Sequence, residues 1–286
     1  MKLGLIWFLS LTQAVAKMPH WLSYKSGLSA WPGDGIPSYV WEPHHNTTGI
    51  PDIPRRGFGE CPDDLTGCSF DCYQCLSTAD ITSCDRLSQT FDDGPSRYTP
   101  ALLDALSRSR TKTTFFVIGK NVVTYPEHVR RERREGHVVA VHTWSHQFLP
   151  ALSNEQVFAE LQWCIWAINA TSGVLPRYFR PPYGGVDDRI RAIATQLGLQ
   201  IVLWDRDTGD WQMNIGERDS SRVMQDVDAW LQCNAGKRWQ KPTGLILEHD
   251  LYPANIKLAN QIRQKIKFKQ KTVAQCAKQP KYHDHP

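Results

Sequence analysis

The chain has 286 residues, 41% hydrophobic and 22% charged, with a net charge of +4. This is ordinary globular composition, enough for one large domain or two small ones. So mild a positive charge argues against a nucleic-acid protein, which concentrates basic residues on one face. The 11 Trp suit sugar stacking, although cores use Trp as well.

Residues 1–16 read as a secretory signal peptide. Lys2 precedes an apolar run from Leu3 to Leu11, and Ala14-Val15-Ala16 offers small residues where a signal peptidase cuts, after Ala16. The run is too short to span a bilayer, and no later stretch is long enough to anchor the chain. Eight cysteines, an even number, are expected to form disulfides in an oxidising compartment. Asn46-Thr47-Thr48 and Asn169-Ala170-Thr171 are candidate glycosylation acceptors.

Residues 17–82 form an irregular extension rich in Pro, Gly, Trp and Asp. His44 and His45 are expected on its surface. Cys72-Tyr-Gln-Cys75 has the spacing of a zinc or redox site, but behind an export signal the set Cys61, Cys68, Cys72 and Cys75 reads as a disulfide-stapled lead-in.

From Ser83 to Cys276 short apolar runs alternate with amphipathic ones. Strands are predicted at 87–91, 113–118, 137–141, 178–179, 200–204 and 244–247. A helix is expected at Thr99-Pro100, with Thr99 as its cap and Leu102, Leu103 and Leu106 following. Another opens at Ser153-Asn154 and carries Val157, Leu161, Ile165 and Ile168 at helical spacing. Arg130 to Glu135 reads as a solvated helix face, and Lys265, Lys267, Lys269 and Lys271 as solubilising. Residues 277–286 are a tail with a frayed end, where His283 and His285 could hold a metal only weakly. Alternating strand and helix predicts an α/β fold with parallel strands: a small or incomplete (β/α) barrel, with a doubly wound open sheet as the competing architecture.

Polar residues gather where these strands end. Phe91 is followed by Asp92-Asp93-Gly94-Pro95, Val141 by His142-Thr143-Trp144-Ser145-His146, and Phe179 by Arg180-Pro181-Pro182-Tyr183. Trp204 leads to Asp207-Thr208-Gly209-Asp210-Trp211, and Leu247 to Glu248-His249-Asp250. In β/α barrels strand carboxyl ends converge on the catalytic face. His142 and His146, four apart, can face one way if a helix or turn begins there; with one carboxylate they make a three-ligand zinc set. Adjacent Asp92 and Asp93 repel each other unless a cation lies by one and an arginine, such as Arg180, by the other.

These motifs, Thr90-Phe-Asp-Asp-Gly-Pro95, His142-Thr-x-x-His146, Arg180-Pro-Pro-Tyr-Gly184, Asp207-Thr-Gly-Asp-Trp211 and Leu247-Glu-His249, resemble in order the five motifs of the polysaccharide deacetylase family, the NodB-homology domain of carbohydrate esterase family 4. The lead-in and Cys276 resemble fungal chitin deacetylase-like members. The resemblance covers about two thirds of the chain and implies a distorted (β/α) barrel of about seven strands. It implies that Asp93, His142 and His146 hold zinc or another divalent metal such as cobalt. Asp92 would be the general base for the attacking water and His249 the acid for the leaving amine, with Arg180 orienting Asp92 and Asp210 orienting His249. The Tyr183 backbone N–H would stabilise the oxyanion, and Tyr183, Trp211 and Leu247 would wall the acetyl and sugar pocket. Cys84 would pair with Cys276, other pairings staying open. The implied substrate is an N-acetylated polysaccharide such as chitin, and the implied protein a secreted or wall-associated monomer. Peptidoglycan deacetylation, xylan O-acetyl ester hydrolysis and glycan binding without turnover are the alternatives.

Overall fold

Alternation of side chains across each strand sets the architecture. Phe115, Val117, Val139 and Val141 pack with Leu103, Val122 and Leu161 of the surrounding helices, whereas their neighbours Phe116, Val138 and Ala140 pack with Tyr178 and Leu245 on the opposite face. Strands covered on both faces read as continuous apolar runs, which is why they were visible in the sequence. The computed structural model describes residues 15–63, 65, 67–232 and 242–284; the expected signal peptide up to residue 14, Cys233 and His285 lie outside them.

In chain order the elements are α1 (His20–Ser26), α2 (Phe70–Tyr73), β1 (Ser88–Asp92), α3 (Thr99–Arg108), β2 (Thr114–Val117), α4 (Gly119–Thr124), α5 (Pro126–Arg134) and β3 (Val138–Val141). Then follow α6 (Asn154–Ser172), β4 (Leu175–Pro176), β5 (Tyr178–Phe179), α7 (Asp188–Gln196), β6 (Gln200–Ile201), β7 (Arg206–Asp207), α8 (Ser220–Gln232), β8 (Leu245–His249), α9 (Pro253–Lys265), α10 (Val273–Ala277) and β9 (Tyr282–His283). One seven-stranded sheet has the order β6-β5-β3-β2-β1-β8-β7, with every pairing parallel. Its two edges, β6 and β7, are joined by only residues 202–205. Such a linker reaches roughly 17 Å fully extended, so the sheet must curl. The result is a curled half-barrel, the distorted (β/α) barrel expected, rather than the open doubly wound sheet.

The end of the barrel where the strands begin is plugged. Val273 and Ala274 of α10 join the interior cluster with Phe116 and Val138. The Val273 amide donates to Thr114 Oγ1 at 2.9 Å and that of Lys271 to Ser88 Oγ at 3.0 Å. The Cys84–Cys276 disulfide ties this plug to the segment entering β1.

Several expectations are corrected. Cys61 pairs with Cys72 and Cys68 with Cys75, so the lead-in is stapled, but Cys164 is a buried free thiol. Cys164 lies on the inward face of α6, where its Sγ–H donates to the Val117 carbonyl at 3.2 Å and burial pushes the thiol up to about 12. His45 is buried, stacked on Phe158 at 4.2 Å and bonded to the Tyr39 hydroxyl. Glu132, within the stretch read as a solvated face, turns inward with Val129 of the same helix and is wholly buried. The tail is not frayed at His283, because β9 pairs with β4 and His283 contacts the Gly198 carbonyl at 2.7 Å. Tyr98, not Thr99, occupies the cap of α3; Thr99 is the first helical residue and Pro100 the second. The α6 start is as read, with a reciprocal capping box between Ser153 and Gln156.

The extension packs into the same body. Trp31 stacks on Trp144 with centroids 6.1 Å apart. The indole N–H groups of Trp144 and Trp163 donate to the carbonyls of Gly33 and Ser38. Buried indoles need such partners, and the extension supplies them.

Candidate active site and metal centre

All strands of the sheet run the same way, so their polar sequels meet at one end. Asp92 on β1 stands in register with His249 on the adjacent β8. His142 follows β3, Arg180 follows β5, and Asp207 ends β7.

Asp93 Oδ1 lies 3.2 Å from His142 Nε2 and 3.0 Å from His146 Nε2. Among the described residues these three form one group whose ligand atoms all lie within 4.8 Å of one another. The other nitrogen of each ring is engaged. His142 Nδ1 contacts the Arg180 carbonyl at 2.7 Å, and His146 Nδ1 the Tyr183 hydroxyl at 3.2 Å. A carbonyl only accepts, so His142 carries its proton on Nδ1 and turns the Nε2 lone pair toward Asp93. Asp93 Oδ1 is buried and has no hydrogen-bond partner. An imidazole lone pair aimed at a buried carboxylate oxygen favours a cation between them, and a set of two imidazoles and one carboxylate fits a divalent metal with room for a further ligand.

The pair is held by a loop and not by a helix. Thr143 and His146 both adopt positive φ, 66° and 60°. Asp93 (φ 75°) and Tyr183 (φ 59°) do the same, so four of the eight such non-glycine residues among those described crowd this site. Each costs about 1–3 kcal/mol and persists only where its surroundings enforce it. Glu160 of α6 is part of that enforcement: its carboxylate accepts from the amides of Trp144 and Ser145 and from the Ser145 hydroxyl at 2.9, 2.9 and 2.6 Å.

Asp92 is buried and receives Arg180 Nη1 at 2.8 Å. Arg180 is itself wholly buried, donates to Thr90 Oγ1 and the Leu203 carbonyl, and lies over the Phe116 ring at 4.2 Å. Its planar fork is fixed on every side, which leaves Asp92 a single position. Asp92 Oδ2 is 4.0 Å from His142 Nε2, beside the metal-ligand group. Across the cleft His249 Nδ1 bonds Asp210 Oδ1 at 2.7 Å, and the His249 amide donates to Asp210 Oδ2 at 2.9 Å. Burial alone lowers the His249 pKa, but the charge and hydrogen bond of Asp210, with Asp93 and Asp92 beyond, push it up to about 10. The proton of a neutral ring sits on Nδ1 against Asp210, so the transferable one is on Nε2.

These groups line a cleft of about 450 Å³. Tyr183, Trp211 and Leu247 line it too, and all ten site residues read from the sequence lie in or against it. Reading the sequence missed Asn255, which donates to Asp210 Oδ2 at 2.8 Å, and Asn121, which donates to the Asp93 carbonyl at 2.8 Å. It also missed Glu160, although a glutamate between Val157 and Leu161 on an apolar helix face is itself a signal. Phe58, Pro181, Trp204 and Asp207 complete the lining. Arg206 is absent from it; its guanidinium donates to the Asp205 carbonyl. No described helix is long and apolar enough to cross a membrane.

Comparison with known proteins agrees with this geometry. Residues 79–202 match the polysaccharide deacetylase family. The chain is 46% identical to chitin deacetylase 1 of Saccharomyces cerevisiae over 90% of its own length and 83% of that protein's. It is 43% identical to chitin deacetylase 2 of the same yeast, again over 90% of this chain and 80% of the relative. The structure of a peptidoglycan deacetylase from Bacillus subtilis superposes with a TM-score of 0.58 at 30% identity, covering 68% of this chain and 91% of that one. With its seven-stranded barrel, this chain belongs to the polysaccharide deacetylase family.

Proposed function

We propose that the chain hydrolyses the N-acetyl amide of N-acetylglucosamine units in chitin or a closely related polymer, releasing acetate, with zinc held by Asp93, His142 and His146. The observation that carries this reading is the convergence of those three ligand atoms within 4.8 Å, flanked by the Arg180-held Asp92 and the Asp210-held His249. The likeness to yeast chitin deacetylases along most of the chain supports the choice of polymer.

A zinc held by Asp93, His142 and His146 would supply Lewis-acid polarisation and acidify a water beside it. Asp92 is placed to take a proton from the attacking water, and Arg180 keeps its carboxylate turned to the cleft. The Tyr183 backbone N–H serves as a fixed dipole for the developing oxyanion. An amine leaves poorly until protonated, and His249, kept cationic by Asp210, delivers the proton from Nε2. Trp211, Leu247 and the Tyr183 ring bound the acetyl and sugar pocket.

The disulfides and the amino-terminal run support export to the extracellular space or wall, with residues 1–16 removed and residues 83–276 as the catalytic domain. The likeness to a peptidoglycan deacetylase supports a second reading, in which the polymer is peptidoglycan. Acetate release from chitin oligomers, peptidoglycan and acetylxylan, with zinc titrated and then chelated, tests both. Chitin oligomers are expected to turn over fastest and only with metal; full activity after chelation, or glycan binding without acetate, would overturn the reading.

A further inference from the structure

Phe58 stands out because it belongs to the extension, precedes the family match at residues 79–202, and yet lines the same cleft as Asp92 and His249. It is a large apolar side chain left 70% exposed. Its ring meets Tyr183 at 5.4 Å between centroids and Phe148 edge-on at 5.4 Å and 89°. Tyr183 and Trp211, also in the cleft, are 54% and 47% exposed. Three aromatic faces thus stay open to solvent around one polar pocket.

The backbone on either side of Phe58 is fixed. Gly57 and Glu60 close a turn through Glu60 N–H to the Gly57 carbonyl and Gly57 N–H to the Glu60 carboxylate. Gly59, at φ 81°, takes a corner that side-chain-bearing residues avoid. Just before the turn, Arg56 stacks over Phe148 at 5.3 Å and forms a two-pronged bond with Asp71 at 2.8 and 2.6 Å. Just after it, the Cys61–Cys72 disulfide anchors the chain. A side chain presented this way loses little freedom on meeting a ligand, the condition under which an exposed ring adds affinity.

We propose that Phe58 is a substrate-positioning residue: together with Tyr183 it forms the wall on which the sugar ring adjoining the acetylated unit lies. The residue therefore selects for oligomers over single acetylated groups. This rests on the deacetylase reading above. The zinc-loaded full chain and its Phe58→Ala variant are compared on a chitin tetramer and on 4-nitrophenyl acetate, a small ester with no second ring to reach the proposed wall. The expected result is an increase of about tenfold in KM for the tetramer, the scale of one lost ring contact, with kcat within twofold. Ester hydrolysis and zinc affinity stay unchanged, and Phe58→Trp restores the tetramer KM. Unaltered tetramer kinetics overturn the proposal. So does an equal loss on both substrates or weakened zinc binding, which would assign Phe58 to the posture of Tyr183 and His146. Wild-type protein that releases no acetate from the tetramer sinks the deacetylase reading itself, and this proposal with it.

Discussion

The two ends of the barrel are built from opposite materials. Where the strands finish, buried carboxylates and imidazoles face one another and four non-glycine residues hold positive φ. Where they begin, the interior is closed by Val273, Ala274, Tyr178 and Leu245 and clamped by Cys84–Cys276. The first end holds charge and strain in place for chemistry; the second contributes apolar burial and a covalent tie that offset the cost. Substitutions at the first should change turnover more than folding, and at the second folding more than turnover.

The sharpest break is predicted at the metal ligands. Asp93→Ala or His142→Ala should abolish acetate release, by roughly a thousandfold or more, and remove tightly bound zinc as measured by metal content, because two remaining ligands are too few. Next comes His249→Ala, expected to lower kcat on chitin oligomers by about 10²–10⁴ while metal content is retained. Ester substrates should suffer less, since an alkoxide leaves more readily than an amide nitrogen.

At the plugged end, Cys84→Ser should cost about 2–5 kcal/mol of stability, seen in denaturant unfolding, because the bridge closes a separation of 192 residues. Its kcat at permissive temperature should match wild type; a selective loss of turnover would show that the ends are not independent. Asp210→Asn should act on pH dependence. Desolvation lowers the His249 pKa and Asp210 is the largest influence raising it, toward about 10. An acid works only below its pKa, so activity is lost as pH rises through it. Removing Asp210 should move the alkaline limb of kcat/KM to lower pH, and bound zinc, by offsetting Asp93, should place even the wild-type limb below 10.

The smallest effect is expected at Glu132. Burial, and then the charge of Asp250, raise its carboxyl well above the usual range. A raised folded pKa means that stability is full below the unfolded carboxylate pKa and is lost as pH climbs from there toward the folded one. Glu132→Gln should therefore gain about 1 kcal/mol at pH 8, flatten Tm against pH, and leave the acid-side Tm unchanged.

How far the sequence reveals each end follows the same contrast. That the polar clusters would meet at one end was legible because strands buried on both faces give apolar runs and each run is followed by its charged cluster. The clamp was legible only through family resemblance, since spacing alone leaves cysteine connectivity open. β7 was missed because Arg206 and Asp207 carry no apolar pattern. β4 and β9 have two residues each and depend on one another. Cys164 misled through parity: it lies on a buried helix face against Val117, where it serves as a small apolar group. Phe58 left no trace, since its position depends on a turn, an ion pair and a disulfide that only tertiary structure brings together.

The register of β1 with β8 has a consequence for the making of the protein. β8 is threaded between β1 and β7, although it is the last of the sheet's strands to leave the ribosome. Asp93, His142 and His146 are all synthesised more than a hundred residues before His249. A nascent chain has Asp93, His142 and His146 early, yet His249 joins them only when β8 slots in beside β1 and the curl closes. Completion of the sheet and completion of the proposed site are thus one event.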